Sequence, residues 1–337
     1  MNSILSVILA WFAYGLLFSP LAGAVPKETV TVYSERKDHL IKPIFEAYTK
    51  KTGVKVVFLT DQAGALIERI KAEGKRSTAD ILLTVDAGSL WNAANSGLFE
   101  SLKSPVLEKN IPLNLRDPSG QWFGLSQRAR TVVYNPSKVK ETEIKSYENL
   151  GSAEFKKRLC LRSAKKVYNQ SLIAMMIAEK GEVKVEAVVK GWVQNLAAPV
   201  FQDDTALIEA VAAGQCDLGI VNTYYLGRLL EKKPDLSAKL FWPPKEVGGV
   251  HVNISGAGVL KHAPQKAEAQ KFLEWLSSEE AQSTFAEINH EYPANPAVSP
   301  SKLVLSWGKF DGMKIPMTKA GELQEKAIKL MDRAGYN

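Results

Sequence analysis

Two adjacent tyrosines, Tyr224 and Tyr225, stand in the run VNTYYLG, directly after the apolar segment LGIV. A strand read over 217–222 ends there. At an irregular chain end, neighbouring side chains are not forced to opposite faces as they are within a strand, so both hydroxyls can converge on one point. Tyr168, in LRSAKKVYNQSL, follows a short apolar strand and precedes a helix predicted to begin near Gln170 or Ser171. Phenolates are hard anionic oxygen donors, and a free phenol loses its proton only at about pH 10. Holding several of them deprotonated at neutral pH takes a strongly Lewis-acidic cation, whose charge displaces the protons. Fe(III) meets that demand, whereas zinc would recruit Cys, His or carboxylate. Aromatic packing, or a wall for an organic ligand, is the alternative these residues leave open.

Arginines form the second feature. Arg36 follows the first predicted strand in YSER, and Arg128 and Arg130 stand two apart in SQRAR, where an extended chain orients them alike. Guanidinium groups make bidentate contacts to planar oxyanions, so Arg36 and Arg128 are candidates for an anion site. An interlobe salt bridge to Asp is the competing role. The segment QDDT at 202–205 is suited to cap a helix beginning at Ala206. Enzyme signatures are lacking: there is no G-x-S-x-G elbow, Walker A loop, H-E-x-x-H or dinucleotide fingerprint. The histidines, His39, His251, His262 and His290, form no local metal spacing and read as structural or exposed.

The elements that must position these groups alternate. Strands are predicted at 29–33, 54–59 and 79–84, and helices at 39–51, 63–73 and 88–96. That order indicates a mostly parallel sheet with helices on both faces. Residues 105–119 read as an irregular surface connection, and 130–134 as a strand crossing between lobes. A second α/β unit follows: a strand around Cys160, helices at 171–179, 184–195 and 206–213, and the strand at 217–222. Val259 and Leu260 end a further strand, with helices at 265–276 and 322–334. The reading is an α/β chain of two lobes on a hinge, 25–127 with about 250–300, and about 128–249 with 301–337. Ligands of such sheets lie beyond the strands' carboxyl ends, between lobes able to close.

The first 24 residues carry no Asp, Glu, Lys or Arg and run through ILSVILAWFAYGLLF to Ala22-Gly23-Ala24. That is the apolar core and small-residue cleavage site of a secretory signal peptide, so 1–24 is predicted to direct export. An uncleaved anchor is the alternative, but the run is short and interrupted by Gly15 and Pro20. The remaining length suits two domains. A net charge of +7 comes from scattered lysines and resembles no basic nucleic-acid arm. Two cysteines, Cys160 and Cys216, sit on short apolar segments. In an oxidising compartment they would pair, the alternative being separate buried thiols.

The pieces TVYSER, KKTGVKV, AEGKRSTADILLTVDAG, NLRDPSGQWFGLSQRARTVVYNPSKV, RLCLRSAKKVYNQSL, AAGQCDLGIVNTYYLG and EYPANPAV fall in order along the chain. In kind and order they resemble the periplasmic ferric-iron-binding proteins of bacterial ABC importers. The resemblance implies a two-lobed receptor, not an enzyme, that is a monomer in the periplasm and hands Fe(III) to an inner-membrane permease and its ATPase. It implies iron ligands at Tyr224 and Tyr225, with Tyr168 as a third. Where some members supply His or His-Tyr, this chain has Lys37-Asp38, and where some supply Glu it has Val85. The chain therefore resembles the tyrosine-only subgroup, in which carbonate or a similar small anion completes the coordination. That anion would sit near Arg36 and Arg128. The alternative keeps the fold and makes the cargo a small organic or inorganic anion, with the tyrosines as walls.

Overall fold

The structure, a computed structural model, describes residues 28–337. The leader read at 1–24 lies outside the described residues. No helix among those described is long and apolar enough to cross a membrane.

The first half follows the predicted alternation: β1 (Thr29–Ser34), α1 (Asp38–Thr52), β2 (Lys55–Thr60), α2 (Ala63–Glu73), β3 (Ile81–Thr84) and α3 (Ala87–Asn95). Gly53 ends α1 in the left-handed region, φ 79°, where a side chain would be strained. The stretch read as irregular contains a short helix, α4 (Pro105–Asn110). Ser104 caps it by accepting a hydrogen bond from the Leu107 N–H, and Pro105 occupies the first turn, where its missing N–H costs nothing.

The chain continues through β4 (Phe123–Tyr134), β5 (Leu159–Cys160), α5 (Val167–Lys180), α6 (Glu182–Gln194), α7 (Asp204–Ala212), β6 (Leu218–Asn222), α8 (Thr223–Lys232) and β7 (Lys239–Phe241). It ends with β8 (His251–Val259), α9 (Lys266–Leu276), α10 (Glu279–Asn289), β9 (Tyr292–Pro293), α11 (Lys302–Ser306), α12 (Lys319–Glu322) and α13 (Gln324–Arg333).

Strand order is β2-β1-β3-β8-β4-β6-β5, with β7 and β9 also pairing with β4. β1 runs parallel to β2 and β3. The connection between lobes is made by β4 and β8. β4 pairs antiparallel with β8 from Phe123 to Arg130, then with β6 from Arg130 to Tyr134. β8 in turn pairs with β3. The lobes therefore share a hydrogen-bonded seam. Sequence reading recovered only the apolar halves of these strands. The rest is polar or glycine-rich for packing reasons: a Cβ on Gly258 would stand 2.3 Å from the Gln121 carbonyl oxygen.

One apolar core forms the first lobe, around Val30, Val32, Phe45, Leu66, Ile81 and Phe272. The second lobe holds two clusters, one around Leu172, Trp192 and Leu218, the other around Leu207, Val211 and Val221. Met317 and Ala320 belong to the first core, and Ala327 and Leu330 to the second. Within the second lobe Cys160 and Cys216 are disulfide-bonded, with Cα atoms 5.9 Å apart, as the sequence suggested.

Candidate functional site

A cleft of about 890 Å³ is lined by Tyr168, Tyr224 and Tyr225 from the second lobe and by Glu35, Arg36 and Arg128 from β1, its following loop and β4. A cavity of similar size lies elsewhere, against Val252, Phe310 and Met313, and its wall is mainly apolar. The chemistry is concentrated in the first.

All three tyrosines sit in helical first turns. Tyr224 and Tyr225 belong to α8 and Tyr168 to α5, so the irregular chain end expected at VNTYY and the helix start expected near Gln170 are both corrected. At Tyr224 and Tyr225 the strand β6 gives way to α8 without a loop. Neither helix has a side-chain cap: Lys166 and Asn222 make no capping hydrogen bond. Their unsatisfied N–H groups and positive dipole ends favour negative charge at this point. The Tyr224 and Tyr225 rings lie 4.4 Å apart, centroid to centroid, and the Asn222 amide donates to the Tyr224 hydroxyl at 3.2 Å.

Cations surround the rings. The Arg162 guanidinium lies 5.5 Å from the Tyr168 ring and 5.7 Å from that of Tyr225, and donates to the Tyr225 hydroxyl at 3.4 Å. Arg228 stacks over Tyr224 at 4.9 Å and over Tyr225 at 5.7 Å, and Arg128 over Tyr168 at 5.5 Å. Behind them is a buried scaffold. The Asp204 carboxylate accepts from Arg130 at 3.1 Å and from the Asn222 N–H at 3.1 Å, with Arg162 at 3.6 Å. Asn169 accepts from Arg130 at 3.0 and 2.6 Å and donates to the Arg162 carbonyl at 2.9 Å.

Burial pushes the pKa of each phenol up, and each tyrosine's charge raises a neighbour's further. Arg128 offsets part of this at Tyr168 and Tyr224, as does Arg162 at Tyr225. The three phenols are therefore held neutral, and only a strong cation would displace their protons.

The two expected anion-site arginines both face the cleft, but they are already engaged. Arg36 donates to Ser126 at 3.0 Å, to Ser255 at 2.8 Å and to Glu291, its ion-pair partner. Its carboxylate partner is thus a Glu of the same lobe and not an Asp across the cleft. Burial alone would raise the Glu291 pKa, but Arg36 and Arg128 hold it below the usual range. Arg128 donates to the carbonyls of Ile254, at 2.9 Å, and Val85. The Nε of each is buried and has no partner among the described residues. Arg130 does not line the cleft and anchors the scaffold behind it.

Of the four histidines none lines the cleft. His251 and His290 are buried, as structural residues. Asp203 caps α7 as expected, accepting from Ala206 at 2.9 Å, while Asp204 beside it is the buried anchor. Sequence reasoning missed Arg162, Arg228, Asp204 and Glu35. Helical spacing would have found Arg228, which is four and three residues beyond the two tyrosines, had they been read on a helix.

The profile of the bacterial extracellular solute-binding protein family matches residues 44–311. The iron uptake protein A1 of a Synechocystis strain is 42% identical over 92% of this chain and 88% of its own length. A Trichodesmium protein solved in complex with iron and citrate ligands superposes with a TM-score of 0.86 at 43% identity, over 92% of this chain and 100% of that one. The apo ferric ion-binding protein A of Pasteurella haemolytica superposes equally well, with a TM-score of 0.86 at 38% identity, over 92% and 98%. Profile, sequence and fold agree over nearly the whole described chain: it belongs to the extracellular solute-binding proteins, in their periplasmic ferric-iron-binding branch, and is a binding protein rather than an enzyme.

Proposed function

We propose that the protein is a periplasmic receptor that takes up Fe(III) through Tyr168, Tyr224 and Tyr225 and delivers it, as a monomer, to an inner-membrane ABC permease driven by its ATPase. The observation that carries this reading is the meeting of three phenols at two uncapped helix N-termini in a cleft between lobes. Three phenolates match the charge of Fe(III), and the surrounding arginines favour their ionised form. Relatives named for iron uptake and ferric iron binding support the cargo.

Carbonate, bicarbonate or a similar small anion completes the coordination in this reading. It approaches the spare donors of Arg36 and Arg128 on the cleft wall. A relative solved with iron and citrate supports an anion beside the metal. Contacts from both lobes then favour the closed population.

The density of cationic side chains favours a second reading, a receptor for a small anion with the tyrosines as walls. Arg36, Lys37, Arg128, Arg162, Lys165, Lys166 and Arg228 all line the cleft. One titration separates the two. Metal-free protein is titrated with Fe(III) citrate, with and without bicarbonate, while the visible spectrum is recorded. Iron binding gives a phenolate-to-iron charge-transfer band that Tyr224→Phe or Tyr225→Phe weakens or abolishes. No band, with tight uptake of a metal-free anion, overturns the iron reading.

A further inference from the structure

The acidic side chains lining the cleft, among the described residues, are Glu35, Asp203, Glu209 and Glu291. Three of them have other work. Asp203 caps α7, Glu209 pairs with Lys233 at 2.7 Å, and Glu291 pairs with Arg36. Asp86, just behind the wall, accepts from the Ser89 N–H at 3.0 Å, from Asn253 at 2.6 Å and from Ser171. Glu35 makes no ion pair among the described residues and caps no helix, although Arg36, Lys37 and Arg128 share its wall. Its carboxylate is held by backbone: it accepts from the Val85 N–H at 2.9 Å and lies near the Ala63 N–H.

We propose that Glu35 is the first lobe's ligand for the bound ferric ion, adding one carboxylate oxygen to the three phenolates of the second lobe. The inference rests on the iron reading above. Closure is favoured only by contacts that the open form lacks, and a first-lobe donor to the metal would add one beside those of the anion. Lys37 is a cation and Val85 is apolar, so neither serves. A carboxylate is a hard oxygen donor and suits Fe(III). The hydrogen bond from the Val85 N–H places the carboxylate on the cleft wall. Burial, with Asp86 close by, pushes the Glu35 carboxyl up to about 7. Three phenolates, a bidentate carbonate and Glu35 would together make a six-coordinate ion.

The test compares wild type, Glu35→Gln and Glu35→Asp, each stripped of metal and titrated with Fe(III) citrate against a competing chelator. Glu35→Gln keeps all three tyrosines. It should still give a charge-transfer band, moved in wavelength, together with an altered ferric EPR signal and at least tenfold weaker retention of iron. Its iron binding should also depend more steeply on added bicarbonate, which fills the vacated position. Glu35→Asp keeps a carboxylate and should recover part of the affinity. A Glu35→Gln protein with wild-type band, EPR signal and affinity overturns the proposal and leaves the iron reading standing. Wild-type protein with no band overturns both. If Glu35→Gln takes up no iron, recovery by Glu35→Asp supports the proposal and its failure overturns it.

Discussion

The Arg162 Nη1 donates to the Tyr225 hydroxyl at 3.4 Å and lies 3.6 Å from the buried Asp204 carboxylate. The arginine therefore couples a cleft-facing phenol to a fixed anion. As the phenol ionises, the same contact becomes a charge-assisted hydrogen bond, of the kind worth about 1.5–3 kcal/mol. Arg162→Met should weaken Fe(III) binding roughly 10- to 100-fold. The loss should be the same across the neutral pH range, because Tyr225 stays protonated in the metal-free protein with or without the arginine. Asp204 keeps Arg130 and the Asn222 N–H, so the fold should survive. Chelator competition at two pH values checks this. Unchanged iron affinity in Arg162→Met would mean that the contact to Tyr225 contributes nothing to binding.

Arg36 and Arg128 should divide into different roles. Arg36 is buried in an ion pair with Glu291, so removing one partner leaves the other charged and unpaired, at a cost of about 3–5 kcal/mol. Arg36→Met should lower the urea midpoint strongly, and Arg36→Met with Glu291→Leu should recover much of it. Arg128 has carbonyl partners in place of a carboxylate ion pair. Arg128→Met should cost less stability and should remove most of the bicarbonate dependence of iron binding. Equal effects of the two substitutions on anion dependence would show that Arg36 serves the anion as well.

How far the sequence reached depends on where the signal lies. Alternating strands and helices announced the first lobe from apolar periodicity, because β1 and β3 bury nearly every side chain. All but the end of β8 stayed hidden because Asn253, Ser255, Gly256 and Gly258 carry no apolar alternation, although the strand is buried throughout. The tyrosines were legible as adjacent aromatic residues after an apolar strand, but their helical setting was not. Asn222 stands where an N-cap residue would, but its side chain bonds Tyr224 and Arg130 instead of capping α8. Arg162 and Asp204 are joined across more than forty residues of sequence, and nothing local to either marks the pair. Glu35 looked like any polar residue after a strand, and only the engagement of its neighbours makes it distinctive.

Cys160 and Cys216 close a loop of 56 residues in sequence separation. On the chain-entropy account, a loop of that size restricts the unfolded chain by about 4 kcal/mol. Both sulfurs are buried beside β5 and β6, the strands leading toward the tyrosines. The Cys160→Ala, Cys216→Ala double variant should lose up to about this much stability in urea titrations. Iron affinity should change little while the protein remains folded, because neither cysteine lines the cleft.

His251 should contribute to acid unfolding. It lies on β8 with 1% of its surface exposed, and neither ring nitrogen has a partner. Burial holds its pKa down to about 3, with Arg130 and Arg128 adding to the effect. An unfolded chain binds this proton at about pH 6.5 and the folded chain does not. Stability is therefore complete above that value and is lost as pH falls toward 3. His251→Met, similar in volume and without a titrating ring, should move the acid-unfolding midpoint to lower pH. An unchanged midpoint would place the acid sensitivity in the carboxylates.

Glu35 has the opposite sign, and it separates binding from stability. Its folded pKa of about 7 lies above the ordinary value of 4.5, so between those limits the folded protein holds a proton that the unfolded chain has released. Metal-free protein must then lose stability as pH rises through that window, by an amount on the order of 1–3 kcal/mol. Glu35→Gln removes the titration. The variant should match wild type below about pH 4.5 and exceed it in urea midpoint above pH 7, while binding iron more weakly. A carboxylate that weakens the empty protein and strengthens the loaded one is kept for its ligand. If Glu35→Gln instead destabilises the metal-free protein at pH 8, the hydrogen bond to the Val85 N–H is the reason Glu35 is there, and its role is structural.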